Sequence, residues 1–373
     1  MLKDTMTPKE RAAAIAQGEP VDRMPCNPNI ANGVARVYGC KISEFNTNAK
    51  TIADAQIACY RRFGADSARI FTDLFTFAEA MGAKVKFPDD DTADLEAPAI
   101  SPDVPYSEVM KAIEKIRPVD PYKDARLPLH LEAMKYLLDG IGDEMGCSAG
   151  VIGPFTNAFF LLGVERTLKA IHKNPEAVHK LTKISLETAK AFADAAIKIG
   201  LTPTISEPMS SCTVVSPKVF REFSLPYLRE LVDFIKSKGK GVVIHICGQT
   251  NKIWRDLADM GIAGMSIDNV ASIKECKELI GNDTKIMGNV DPGGVMYSGT
   301  PDEVRLKTLE CIRDGYDSPK GYMIMSGCSL PVDSPFENID SMMNTVRELG
   351  YPVNINKLDD MLADVRKRLG VEA

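Results

Sequence analysis

The chain has 373 residues, 45% apolar and 26% charged, with a formal net charge of −6; this is ordinary for a globular protein, and without a Lys/Arg block it argues against a nucleic-acid partner. No apolar run approaches the roughly 20 residues of a membrane helix, and Lys3, Asp4, Lys9, Glu10 and Arg11 interrupt any apolar leader. Nine scattered cysteines, an odd number, favour free or metal-bound thiols in a reducing cytoplasm over a disulfide framework.

Thr7-Pro8-Lys9-Glu10 combines a capping residue, Pro in the first turn and Glu three positions on, so a helix is predicted to about Gly18. A first strand follows Pro25 and ends near Asn29. A helix is predicted over 47–63 and a second strand over 68–73. Residues 81–87 form an extra strand, and the Asp89–Asp91 triplet is a solvated turn. Helices are expected over 106–116 and 126–138. From there strands alternate with helices. Strands are predicted over 145–152, 202–206, 241–246, 263–267, 284–288 and 322–325. Helical stretches fill 154–199, 217–238, 251–260, 272–280, 301–314 and 335–349. A last surface helix covers 356–369.

Eight strands alternating with helices imply a parallel sheet, and this length favours its closure into a (β/α)8 TIM barrel. No Gly-, Pro- or Ser-rich linker divides the chain. One domain over 1–373, with an N-terminal helical extension, is expected.

Active sites of such barrels gather at the C-terminal strand ends. The ends here carry Asn29, Asp73, Glu207, His245 with Cys247, Asp268, Asn289 with Asp291, and Cys328. Asp268 and Asn289 are also ordinary turn formers. Glu207, His245 and Cys328 are not. His245 and Cys247, two apart on a strand, face the same side. With Cys328 they make a soft ligand set suited to zinc, and three protein ligands leave one position open, as at catalytic zinc. Glu207 is the candidate to fill that position when no substrate is bound. Cys26, Cys59, Cys276 and Cys311 read as small core residues.

At these residues a family resemblance appears. The chain resembles the uroporphyrinogen decarboxylase superfamily over nearly its whole length. The likeness is carried by Gly18-Glu19-Pro20-Val21-Asp22-Arg23-Met24-Pro25, Ile70-Phe71-Thr72-Asp73-Leu74, Gly153-Pro154-Phe155-Thr156, Ser216-Pro217, Phe223-Ser224-Leu225-Pro226-Tyr227, Gly288-Asn289-Val290-Asp291-Pro292 and Pro335-Phe336-Glu337-Asn338. Within it, His245-Ile246-Cys247-Gly248 and Gly327-Cys328 are similar to the zinc motif of the methylcobamide:coenzyme M methyltransferases.

The departures from true decarboxylases bear on function. Asn27-Pro28-Asn29-Ile30-Ala31-Asn32 stands where decarboxylases carry an Arg pair, Phe159-Phe160 where they carry a tyrosine, and Gly327-Cys328-Ser329 where they carry Gly-His-Gly. Asp73 alone matches the decarboxylase aspartate. A porphyrinogen bearing several carboxylates is poorly held without its Arg clamp.

The resemblance implies zinc-dependent methyl transfer between a methylcobamide (methylcobalamin), carried by a separate corrinoid protein, and a thiol such as coenzyme M. Two other activities stay open: O-demethylation of a methoxylated substrate onto Co(I), and porphyrinogen decarboxylation. Asp73, Glu207, Asp268 and Asn289 are the expected catalytic groups, and Asn29, Phe155 and Phe159 the expected cofactor-facing ones, the phenylalanines walling a dry pocket.

Overall fold

The structure is a computed structural model and describes residues 3–371. Among these, eight strands form one parallel sheet: β1 (Cys26–Asn27), β2 (Ala68–Ile70), β5 (Cys147–Ile152), β6 (Thr202–Ser206), β7 (Val243–Ile246), β8 (Gly264–Ile267), β9 (Lys285–Val290) and β10 (Tyr322–Ser326). Their order, β1-β10-β9-β8-β7-β6-β5-β2, is that of a (β/α)8 barrel. The remaining pair, β3 (Lys84–Lys86) and β4 (Asp94–Ala97), is a separate antiparallel hairpin. The predicted extra strand is thus half of a hairpin. Its acidic partner offers one strongly apolar side chain, Leu95, too little for a period-two signal.

The barrel closes where β1 meets β2. There the Asp66 amide donates to the Cys26 carbonyl at 2.9 Å, and the Cys26 amide donates to the Asp66 carboxylate at 2.7 Å. Asp66 also takes ion pairs from Arg11 and Arg23. Arg23 is 0% exposed and binds Asp4 at 2.7 Å, and Arg347 reaches Asp4 at 2.7 Å. A buried charge network therefore staples the seam.

The helical stretches 154–199 and 217–238 are not uniform. The 154–199 segment divides into Pro154–Leu162, Val164–Lys173 and Pro175–Ile199, with breaks at Gly163 and Asn174. The 217–238 segment widens into a π-helical turn at Phe220–Ser224. Pro226 follows directly; it lacks an N–H and its ring crowds the preceding turn, so regular α-geometry cannot run through it. Glu222, in that turn, is exposed, as a solvated helix residue should be.

One continuous apolar core joins the barrel strands to the surrounding helices. A second lies around Pro154–Leu162 and holds Phe155, Phe159 and Phe160. The Phe155 and Phe159 rings meet edge to face at 5.0 Å.

Candidate metal centre and barrel cavity

Strand β7 sorts its side chains by alternation. Ile244 and Ile246 are fully buried in the core. Val243, His245 and Cys247 face inward and line a cavity of about 400 Å³ inside the barrel. Cys328, just past β10, lines it too. His245 Nε2 lies 3.3 Å from Cys247 Sγ, and the two sulfurs are 3.7 Å apart. The three ligand atoms all lie within 4.8 Å of one another, and no other metal-holding group of His, Cys, Asp or Glu occurs among the described residues.

These spacings fit a tetrahedral ion. Metal–sulfur bonds of about 2.3 Å and a metal–nitrogen bond of about 2.0 Å would hold two sulfurs about 3.8 Å apart, and sulfur and nitrogen about 3.5 Å apart. His245 Nδ1 lies 3.1 Å from Ser266 Oγ. With Nδ1–H donating to that hydroxyl, the Nε2 lone pair is left for a metal. The hydrogen bond between the thiols splits their acidities: it lowers the Cys328 pKa and raises that of Cys247.

The loop after Cys247 is braced rather than free. Gly248 has φ +69, a left-handed conformation that suits glycine. Its amide donates to Asp268 Oδ2 at 2.7 Å. Asn289 Nδ2 donates to the Asp268 and Ala271 carbonyls at 2.9 and 2.6 Å. Asp268 and Asn289, expected to be catalytic, do not line the cavity; their polar atoms support the loop that carries the ligands.

Glu207 is corrected more sharply. It is fully buried and lies outside the three-ligand cluster. Its carboxylate accepts the Phe155 amide at 3.3 Å and the Thr156 amide at 2.5 Å, at the N-terminus of helix Pro154–Leu162. Free amides and the helix dipole make that a natural carboxylate site.

Burial raises the Glu207 pKa from 4.5 to about 7, against the Thr156 and Phe155 hydrogen bonds that lower it. The folded state then binds more protons than the unfolded one between those values. Its stability should fall as pH rises from about 4.5 through about 7, by roughly 3 kcal/mol at most. Glu207→Gln should lack this component. Denaturant unfolding of both proteins at pH 5 and pH 8 checks it; equal pH dependence of the two would refute it.

Asp73 is also engaged elsewhere. It is buried, with Oδ2 2.8 Å from Arg126 Nη1, and it accepts the Phe75 amide at 2.8 Å. Burial raises its pKa, but Arg126 and the hydrogen bonds outweigh that and lower it overall. It lines a separate groove at the barrel mouth with Asp90, Asp91 and Tyr297. Phe155 and Phe159 are core, not cavity wall, because their helix packs outside the barrel. Asn29 does line the cavity, and its Nδ2 donates to Ser329 Oγ at 3.3 Å. The apolar wall is instead Ile30, Val34, Phe71, Leu74, Met287 and Met325. Inward alternation along β2, β9 and β10 was the available signal for Phe71, Met287 and Met325.

Residues 7–349 match the uroporphyrinogen decarboxylase (URO-D) family. The chain belongs to this family. Among curated relatives, a methylcobamide:CoM methyltransferase MtaA of Methanosarcina barkeri is 28% identical, over 90% of this chain and 96% of that protein. A methylated-thiol–coenzyme M methyltransferase of Methanosarcina mazei is 27% identical, over 98% of this chain and 95% of that protein. A uroporphyrinogen decarboxylase of Neisseria meningitidis is 26% identical, over 81% and 84%. The solved structure of a methyltransferase from Methanosarcina mazei superposes with TM-score 0.80 at 26% identity, covering 92% of this chain and 99% of that one. This family member therefore keeps the barrel while presenting a His and two Cys in its cavity.

Proposed function

We propose that this protein is a zinc-dependent methyltransferase that moves a methyl group between a corrinoid, carried by a partner protein, and a small thiol. The observation that carries this is the convergence of His245, Cys247 and Cys328 on one cavity. The methyltransferase relatives, named for methylcobamide and coenzyme M, support the corrinoid and the thiol.

His245, Cys247 and Cys328 would hold the zinc. When bound, it supplies a Lewis acid that lowers the pKa of a substrate thiol toward neutrality. Ser266 orients the imidazole, and Asp268 holds the Gly248 turn in place. Leu74, Met287 and Met325 keep water from the substrate sulfur. In the transfer, the sulfur lone pair forms the S–C bond, and the electrons of the C–Co bond stay with cobalt. A corrinoid is larger than the cavity, so its carrier docks on the strand-to-helix loops of the C-terminal face. A carboxylate at the metal would favour the O-demethylating alternative. Glu207 is occupied at a helix terminus and Glu222 is exposed, which favours the thiol.

The test is methylcobalamin absorbance with zinc-loaded protein against thiols and methoxyaromatics. Demethylation of methylcobalamin by thiols is expected, with uroporphyrinogen left intact. Calorimetry in buffers of different ionisation enthalpy should find about one proton released per zinc on thiol binding. Proton-neutral binding of active thiols, together with methoxyaromatic turnover, would reverse the assignment.

A further inference from the structure

One cation on the cavity wall has no counter-ion. Arg69, the middle residue of β2, lines the same cavity as Cys247 and Cys328. Among the described residues no oxygen lies within hydrogen-bonding or ion-pairing distance of its guanidinium; Phe71 lies beneath it, 4.5 Å from ring centroid to the guanidinium carbon. Every other arginine in the interior is paired: Arg11 and Arg23 with Asp66, Arg126 with Asp73 and Glu79. The one carboxylate on the cavity wall, Asp66, is already committed to those two arginines and to the Cys26 amide.

The position looks built. Phe71 is fixed beneath the guanidinium by Gly150 on the neighbouring strand, where any Cβ would collide with the ring. Burial lowers the Arg69 pKa from 12.5 to about 10, and the charge of Cys328 only partly opposes this. At neutral pH the group remains cationic. Once Cys328 is a zinc ligand, its charge is taken up by the metal. Burying a charge without a partner is costly, and a protein that retains one in a cavity leaves it a strong preference for an anion. The planar guanidinium suits an oxyanion with two acceptor oxygens. Ser206 and Ser266, also on the wall, add neutral hydroxyl donors.

We infer that Arg69 is a specificity-determining residue that receives a carboxylate or sulfonate borne by the substrate whose sulfur lies at the His245–Cys247–Cys328 centre. This rests on the thiol assignment above, so the test has an arm that does not need it.

Wild type, Arg69→Met and Arg69→Lys are compared with two thiols of similar size, 3-mercaptopropionate and 2-mercaptoethanol. Hydrogen bonds to charged groups predict a preference of wild type for the anionic thiol of about 10–100-fold in kcat/KM, expressed mainly in KM. In Arg69→Met this ratio should fall toward one, and Arg69→Lys should recover part of it. The second arm measures binding of sulfur-free propionate and ethanesulfonate by calorimetry. Both should bind wild type and not Arg69→Met. Removing an unpaired cation from the cavity wall does not threaten the fold. If no thiol reacts but the anions bind through Arg69, the anion site stands and the thiol assignment falls. An unchanged thiol ratio in Arg69→Met, or no anion binding to wild type, overturns the inference.

Discussion

Cys247→Ser and Cys328→Ser should each lose metal and methyl transfer together while the barrel stays folded. With three protein ligands and an open position, the site has no ligand to spare. A serine hydroxyl stays protonated near neutral pH, whereas the thiolate is the form that binds zinc. Elemental analysis should find zinc falling from about one per chain to a small fraction of that in both variants. Methyl transfer should drop by at least about 100-fold, since loss of a residue that merely supports a ligand already costs 10–100-fold. Ser266→Ala supplies that milder case, weakening zinc by about 10–100-fold. The fold should survive because both thiols line a cavity instead of filling the core. Far-ultraviolet circular dichroism and the unfolding midpoint of the metal-free proteins check this. Full zinc occupancy in both serine variants would remove these residues as ligands.

Arg23→Met should be the most destabilising single change outside the site. The guanidinium is fully buried and bonds Asp4, Asp66 and the Gly64 carbonyl. Removing it leaves Asp4 to Arg347 and, at 3.6 Å, Arg11, and leaves Asp66 with Arg11 as its one remaining cation, with a donor missing from each. Breaking such a pair by deleting one partner costs about 3–5 kcal/mol. The cost is concentrated at the seam, where the Asp66 carboxylate also holds the β1 amide of Cys26. Arg23→Met combined with Asp66→Asn should lose less than the sum of the two single changes, because the second removes a charge whose pairing the first has already weakened. Chemical denaturation measures all three; a loss below about 1 kcal/mol for Arg23→Met would deny the network its role.

The same network has an acid signature. Burial raises the Asp4 pKa, but hydrogen bonds from Arg23 and Arg347 outweigh it and hold the value at about 2, below the ordinary 3.8. This carboxylate therefore stabilises the fold above pH 3.8, and the contribution is lost as pH falls through about 2.

Local pattern was enough for the barrel and for the His-Cys-Cys cluster. Apolar β-branched runs alternating with helical periodicity mark the strands one by one, and chemistry at strand ends needs no knowledge of what lies across the barrel. His245 and Cys247 share a face through the two-residue repeat of β7, and Cys328 ends another strand of the same sheet. At Glu207, Asp73, Asp268 and Asn289 the same rule meets polar groups that already have partners. All four stand at strand ends, but a strand-end position does not say whether a polar atom is left free. Glu207 is taken by a helix N-terminus, Asp73 by Arg126, Asp268 by the Gly248 amide, and Asn289 by the Asp268 and Ala271 carbonyls.

Only closure of the barrel decided the rest. Arg23 meets Asp4 and Asp66, 19 and 43 residues away, and no local repeat encodes such pairings. Phe155 and Phe159 sit on a helix outside the barrel, so the cavity is walled by strand residues instead. Alternation puts Arg69 and Phe71 on one face of β2 but does not say which face. Arg69 became a cavity cation because the sheet curls with that face inward and brings no carboxylate to it. Side-chain period is local and is written in the sequence; which charges remain unpaired depends on every neighbour at once, and the folded chain alone assembles those neighbours.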